Sequence, residues 1–502
     1  MTEQQFPPSF GDDYVPYRRK IAERIGKEQA AQNREIEALL ALLEYRLEEG
    51  QDDIEYGYYR IFQFDTFRGK KGVTRALLNA AAPCLWALTR LKYLSRRKGA
   101  PRLLFSNTFM RSKRYPVVRE QIEGKCGCTA AMTFRDTIRI EIPGMKDMVR
   151  ESLRMDDGGV KPVFLPRFSI AGGRLQQAVM TYYALMCRQT FGQETVPEAE
   201  TDSALAALRE AYPARVAALA KSLRKAGLRA YITVNQYNLR DLLMIHACKE
   251  AGIPTMQQEH HAVEFCGTQF DPANPMQRLS FASHYGYWSE KEKQFHRTVF
   301  RYDNLLYPPE ANRYIASGNT EMTWEQAVRF QKQYPVQRKL TFMTAGNEKE
   351  TFRTEEALAA YEEWRWAVFR GLRELGERQH ITICLRYTPY REMYFREKEI
   401  PTLKSWGFVI SESVPENLME DMCSSLAVMS STSSVLGTAR PLGKMIYRVQ
   451  YMDLRVVHID DTVHEVTPET IRDIVIPEGE ENKPHDIDRE SFFSVDRLIA
   501  GL

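Results

Sequence analysis

The chain has 502 residues, of which 43% are hydrophobic and 27% charged, and its formal net charge is +3. That length exceeds what one hydrophobic core usually serves, so two or more domains are expected. The composition is that of a globular protein, and the charge is too mild to imply a partner by itself. The eight cysteines are scattered; only Cys126 and Cys128 are close, and C-G-C is neither a zinc-finger nor a redox spacing. Free thiols in a reducing cytoplasm are expected. The polar opening "MTEQQFPPSFGDDYVPYRRK" has no signal-peptide core, and no apolar stretch is long enough to span a bilayer.

In chain order, "YRRKIAERIGKEQAAQNREIEALLALLEYRLEEG" repeats apolar residues at three- and four-residue steps, which predicts helix, with Gly50 as its cap. A helical hairpin or a cap on a larger domain follows from that pattern. From Arg68 to Arg119 there are fourteen Lys or Arg and no Asp or Glu. Within this segment "VTRALLNAAAPCLWALTRLKYLSRRK" is apolar in the middle and basic at its end. Such a stretch suits an anionic membrane interface or a run of phosphates, or a half-buried helix with a solvated end. No nucleic-acid motif accompanies it.

Strands and helices then alternate. "RLLFSNT" predicts a strand and "MTFRDTIRIEIP" is β-rich. "GGRLQQAVMTYYALMCRQTFG" and "ETDSALAALREAYPARVAALAKSLRKAG" are helical, the second with Pro213 as an expected interruption. "LRAYITVN", "QYNLRDLLMIHACKEAG" and "IPTMQQE" form a βαβ unit. Its strands end in Asn235-Gln236-Tyr237-Asn238 and in Gln258-Glu259-His260-His261, where ligands gather in open α/β sheets. A strand and helix are expected in "LSFASHYGYWSEKEKQFHRT" and a short strand in "ANRYIASGNTEMT". A second βα series begins at "KLTFMTAGNE". It continues through the helix "EALAAYEEWRWAVFRGLRELGE", the strand of "HITICLRYTPYRE", and "GFVISESVPENLMEDMC". It closes with "SLAVMSSTSSVLGTARPLGKMIYRV". The reading is two α/β halves joined near residues 310–338, with a closing helix near Arg489–Leu502 that could pack on either.

The loop Ser430 to Ser434 places Ser431, Thr432, Ser433 and Ser434 between an apolar strand and a helix start. Hydroxyls and free N–H groups there suit phosphate oxygens, whereas a plain N-cap needs only one of them. Gly346 and Asn347 follow another strand, and Gly346 lets backbone approach a ligand. Arg386 at a strand end offers fixed charge for a diphosphate or a sugar carboxylate.

These loops resemble those of GT-B glycosyltransferases, and more narrowly bacterial surface-polysaccharide enzymes of the Kdo-transferase, sialyltransferase and glycerophosphotransferase kinds. Gly252-Ile253-Pro254-Thr255 followed by Glu259-His260-His261 is similar to their G-I-P-T and Q-H-G, with Glu for Gln and His for Gly. Gly318-Asn319 matches a G-N turn. Arg386-Tyr387-Thr388-Pro389 matches R-x-H-P with Thr for His, and Gly443-Lys444-Met445-Ile446 matches G-K-P-V.

The resemblance implies an α/β protein of two Rossmann-like domains facing a cleft, with an extra helical N-terminal region. The expected divisions are a helical, basic region over 1–99, an acceptor domain over 100–315, a donor domain over 316–480 and a closing helix over 481–502. It implies a nucleotide-sugar co-substrate, with a CMP-sugar favoured, a glycan or lipid-linked acceptor, and no cofactor. Glu259 is the expected base, then His260. Asn235, Gln236 and His261 would face the acceptor. Gly346, Asn347, Arg386, Thr388, Glu416, Asn417 and Ser431 to Ser434 would hold the donor. A metal at His260-His261 is disfavoured, because adjacent strand residues diverge and zinc sites prefer spaced ligands. A structural histidine pair stays open, as do transfer from a CDP-alcohol and a non-catalytic scaffold. Segment 68–119 would hold a cytoplasmic enzyme against the inner membrane.

Overall fold

The computed structural model describes residues 34–50, 54–62, 103–106, 129–132, 161–164, 173–192, 195–234, 238–258, 279–290, 293, 303–304, 306–307, 311–319, 322–344, 349, 352, 354–388, 392–412, 414, 417–431, 435–450, 462–477, 487 and 489–502. Helices α1 (Arg34–Gly50) and α2 (Ile54–Phe62) open the described chain. Their apolar stripes share one cluster with the first lobe: Leu39, Leu42, Leu43 and Phe62 are buried together with Tyr183 and Leu208. Tyr183 Oη donates to the Arg46 carbonyl at 3.0 Å, and Tyr58 Oη to that of Met180 at 3.0 Å. The two helices cap the first lobe and have no core of their own.

The first lobe contains β1 (Leu103–Phe105), β2 (Thr129–Met132), β3 (Lys161–Phe164), α3 (Arg174–Phe191), α4 (Glu198–Ala226), β4 (Ala230–Thr233), α5 (Leu239–Ala251), β5 (Thr255–Gln258), β7 (His284–Tyr287) and β9 (Arg313–Ala316). A separate two-stranded pair joins β6 (Leu279–Ser280) to β8 (Asp303–Asn304). Among the described residues the main sheet has seven strands in the order β3-β2-β1-β4-β5-β7-β9, all parallel. A parallel sheet is covered on both faces, which is why Leu103, Leu104 and Phe105 are all buried in succession. Helix α5 is cut at both ends by its sequence. Asn238 accepts from the Asp241 N–H at the start, and Gly252 at φ 69° ends it in the left-handed region.

Pro213 does not interrupt its helix; α4 runs unbroken through it. The proline removes one ladder bond. The flanking Tyr212 and Val216 are buried in the first lobe's apolar cluster, and that packing holds the turn in place.

The second lobe contains α6 (Trp324–Gln333), β10 (Gln337–Met343), α7 (Glu355–Gln379), β11 (Thr382–Arg386), α8 (Met393–Ser405), β12 (Val409–Ile410), α9 (Leu418–Cys423), β13 (Ser425–Ser430), α10 (Val435–Ala439), β14 (Met445–Val449) and β15 (Val463–Val466). Its six described strands are parallel in the order β12-β11-β10-β13-β14-β15. Counted from the first strand of each lobe, both sheets read 3-2-1-4-5-6, the Rossmann order, with one further strand in the first. The expected pair of Rossmann-like domains is therefore present.

Two chain passes lie side by side where the lobes join. The Gly318 N–H donates to Tyr287 O at 3.0 Å, Asn319 N–H to Ser491 O at 2.8 Å, and Phe493 N–H to Asn319 O at 3.0 Å. Gly318 has φ +91°, and a Cβ there would lie 2.2 Å from the Phe492 carbonyl oxygen, so this crossing requires glycine. The returning chain forms α11 (Val495–Gly501), which packs on β9 in a cluster with Phe105, Ile232 and Met256. The closing helix thus belongs to the first lobe. Trp288, just after β7, belongs to the same apolar cluster as Met343 at the end of β10 and Phe492 of the returning chain, so this cluster draws residues from both lobes.

His246 of α5 is buried, 2.5 Å from Tyr212 Oη through Nδ1, and burial, then the charge of Lys249, pushes its pKa down to about 3. Between the ordinary value of 6.5 and about 3 the unfolded chain binds a proton that the folded chain refuses. The unfolded state holds more protons there, so stability present above that window is lost as pH falls, at about 1.4 kcal/mol per unit. In urea unfolding, His246→Gln is expected to flatten the decline between about pH 6 and 4; a slope unchanged by the substitution contradicts this.

Candidate functional site at the strand-order reversal of the second lobe

In a doubly wound sheet the crevice lies beyond the carboxyl ends of the two strands between which the order reverses. In the second lobe those strands are β10 and β13, with Met343 opposite Ser430. Thr344 and Ser431 are the next residues on each. Ser430 Oγ donates to Met343 O at 2.7 Å, which ties the two strand ends together. Thr344 N–H donates to Arg386 O at 3.0 Å, and its hydroxyl donates to Glu392 Oε2. Ser431 is buried, and its hydroxyl has no hydrogen-bond partner among the described residues. A buried, unsatisfied hydroxyl costs about 1–3 kcal/mol, a penalty that a bound acceptor would remove.

Glu392 links the neighbouring loops. Its Oε2 accepts from the Thr388 N–H at 2.9 Å as well as from Thr344, and its Oε1 takes Arg365 Nη1 at 2.9 Å. Glu392 is fully buried and sits at φ 62°, ψ 27°, as the residue that begins α8. A left-handed conformation at a non-glycine costs of order 1–3 kcal/mol and persists only where surrounding contacts hold it. Arg365 supplies the hold. Its Nε and Nη2 meet Glu399 at 2.6 and 2.7 Å, and the aromatic rings of Tyr361, Phe369, Tyr387 and Phe395 surround it. One guanidinium thus serves two carboxylates, and burial, working against the pull of Arg365, pushes the Glu399 carboxyl up.

Arg386 is not a free charge. Its Nη1 pairs with Asp421 at 2.6 Å and reaches Ser411 Oγ at 3.3 Å, while Nη2 donates to Val414 O at 2.5 Å. These bonds pin the chain around β12 and α9 to the end of β11, so the Arg386 charge is buried and shared with Asp421. Asn417 begins α9, and its Nδ2 donates to Glu412 Oε2 at 3.3 Å. Thr388 is half-buried; its N–H is engaged, and its hydroxyl makes no hydrogen bond among the described residues. The helix after the serine loop is short, Val435–Ala439, and runs into a 3-10 turn over Arg440–Leu442, so its macrodipole adds little.

In the first lobe the order reverses between β1 and β4. Behind β4, Asp241 is buried and accepts from Tyr231 Oη at 2.5 Å and Asn238 Nδ2 at 2.6 Å; burial, partly offset by Arg240, pushes its carboxyl up. One strand along, β5 ends in Gln257 and Gln258, both buried. Gln258 Oε1 accepts from Ser317 Oγ at the lobe crossing, while its Nε2 and Gln257 Oε1 have no partner among the described residues. Glu259, His260 and His261 follow directly but lie outside the described residues, as do Asn235, Gln236, Gly346, Asn347, Glu416, Thr432, Ser433 and Ser434. So does nearly all of segment 68–119. Of the expected site residues, Arg386, Thr388, Asn417 and Ser431 are described, and all four lie at the carboxyl ends of β11 and β13 or at the start of α9.

Sequence reasoning passed over Arg365, Glu392, Glu399 and Asp421. Two carried a signal: Arg365 lies on the buried stripe Tyr361, Arg365, Val368, Leu372, and Glu399 on the stripe Phe395, Glu399, Leu403. A charge on an apolar stripe marks a buried pair.

No family model matches the sequence, and no curated protein matches it significantly. Solved structures give distant likenesses. UDP-GlcNAc 2-epimerase from Methanocaldococcus jannaschii is 11% identical, with a TM-score of 0.43, over 80% of this chain and 99% of that one. The wall teichoic acid polymerase TagF is 10% identical, with a TM-score of 0.35, over 80% and 88%. HepE of Anabaena, in complex with UDP and glucose, is 9% identical, with a TM-score of 0.37, over 74% and 88%.

Ser431→Ala is expected to leave urea stability equal or to raise it by about 1 kcal/mol, because no hydrogen bond is lost and one unsatisfied group is removed. A loss of more than about 1 kcal/mol would show that the hydroxyl already has a structural partner.

Proposed function

We propose that the chain is a GT-B-type glycosyltransferase. It moves a sugar from a nucleotide-activated donor on the second lobe to a hydroxyl of a surface glycan or lipid-linked acceptor on the first. The observation that carries this is the Ser431 hydroxyl, buried without a partner among the described residues at the strand-order reversal, where a phosphate oxygen would satisfy it. Thr388, in the position of the histidine in the R-x-H-P pattern, would add a second hydroxyl from the neighbouring loop. Asn417, with Glu416, would reach the ribose or base.

Transfer needs a base for the acceptor hydroxyl and donors that stabilise the departing phosphate. We assign the base to Glu259, with His260 second, since both follow Gln258 at a strand end tied to the lobe crossing. Asn235, Gln236 and His261 would contact the acceptor, and Gly346, Asn347 and Thr432 to Ser434 the donor. Hydroxyls and backbone N–H groups stabilise the leaving phosphate without a metal ion. A CMP-sugar is the favoured donor. The fourteen cations of segment 68–119 support contact with an anionic lipid surface where the acceptor is anchored. No helix among the described residues is long and apolar enough to cross a membrane.

Thermal unfolding in the presence of CMP, CDP, UDP or GDP tests the donor site. One of them is expected to raise Tm by several degrees at millimolar concentration, since a ligand of the folded state alone stabilises it. With the matching nucleotide-sugar, Glu259→Gln is expected to keep the Tm shift and to slow transfer about a hundredfold or more. Full turnover by that variant removes Glu259 as the base, and the absence of any nucleotide shift contradicts the donor site.

A further inference from the structure

We propose that Glu392 is the positioning residue of the second lobe's ligand site: one carboxylate, turned inward by a left-handed backbone, clasps Thr344 after β10 to Thr388 after β11, so that the two strand ends and the Thr388 hydroxyl are held in one fixed geometry for a nucleotide's phosphates. The inference rests on the nucleotide-binding role given above for this lobe.

Three features set Glu392 apart from an ordinary buried acid. A residue that begins a helix usually caps it with a short polar side chain from extended backbone. Glu392 does neither: φ is 62°, no side-chain cap is made, and the carboxylate points back into the lobe. Next, both bonds of its Oε2 go to loop-starting residues, the Thr344 hydroxyl and the Thr388 N–H, while Oε1 is committed to Arg365. The two loops leave neighbouring strands, paired Met343 to Arg386, and Thr344 Oγ1 also receives the Thr388 N–H at 3.2 Å. Finally, Glu399 already pairs with Arg365 through two hydrogen bonds, so the guanidinium does not need Glu392 for its own neutralisation. A strained residue that neither caps its helix nor is required by its cation is accounted for by the loops it ties, since strain of this kind collects where a site must be held ready.

Removal of the clasp should then affect ligand binding more than folding. Glu392→Gly releases the left-handed strain along with the carboxylate, and Glu392→Gln keeps an oxygen that can accept from Thr388. Tyr387→Phe serves as the control. It deletes a 2.9 Å hydrogen bond to Glu399 in the same buried network and touches neither loop contact.

The experiment measures Kd by calorimetry for whichever of CMP, CDP, UDP and GDP stabilises the wild type most, with Tm recorded for every variant. Glu392→Gly is expected to weaken binding about tenfold or more, and Glu392→Gln to recover most of that loss. Tyr387→Phe is expected to lower Tm and keep the wild-type Kd. Should Glu392→Gly not fold, Thr344→Val, which frees one side of the clasp, must weaken binding at least about threefold. Wild-type affinity in Glu392→Gly, or a loss of affinity in Tyr387→Phe that matches it, overturns the positioning role while leaving the nucleotide site standing. A wild type that binds none of the four overturns both.

Discussion

The reversal of strand order between β10 and β13 is the constraint on which the rest of the second lobe depends. Connections to either side of that point leave the sheet in opposite directions, so the two strand ends are not covered by a shared loop. Three hydroxyls reach the gap from the strand ends. Ser430 is satisfied by Met343 O and Thr344 by Glu392, but Ser431 is satisfied by nothing among the described residues. Topology alone would place a crevice here, and a hydroxyl left unsatisfied among the described residues could give a ligand at that point one hydrogen bond.

Charge supports this geometry from beneath. Arg386 with Asp421 braces the end of β11, and Arg365 with Glu392 and Glu399 braces the loops on its other side. Buried pairs of this kind contribute little net stability against apolar replacements of the same volume, yet loss of one partner costs about 3–5 kcal/mol. Their value in this lobe is geometric. They fix the directions in which short loops leave the sheet, at the positions where the expected site residues Thr388 and Asn417 begin.

The fold was legible because a parallel sheet buries its strands on both faces and leaves long apolar runs between amphipathic helices. β1, β4, β10, β11 and β13 all stand where those runs lie. Helix α6 went unread although Thr323 and Gln326 form a capping box, since its hydrophobic residues are few. Helix α8 went unread because Pro401 lies inside it and a glutamate occupies its stripe. At Pro213 the sequence pointed to a break that tertiary packing overrides. The strand-end serine was visible from its place between an apolar run and a helix. Arg386 was visible as a charge, but Asp421, 35 residues away, was invisible as its partner. Pairings between distant residues are set by topology, and so the clasp at Glu392 could not be read from its neighbours in sequence.

Hydrogen–deuterium exchange with and without the nucleotide that stabilises the protein tests the central claim most directly, because it locates the ligand on the chain. Protection is expected in peptides that carry Thr344, Thr388 and Ser431, with little change at β12 or β15 on the sheet's edges. Protection confined to other segments, or none at these three residues with nucleotide bound, would contradict a ligand site at the reversal.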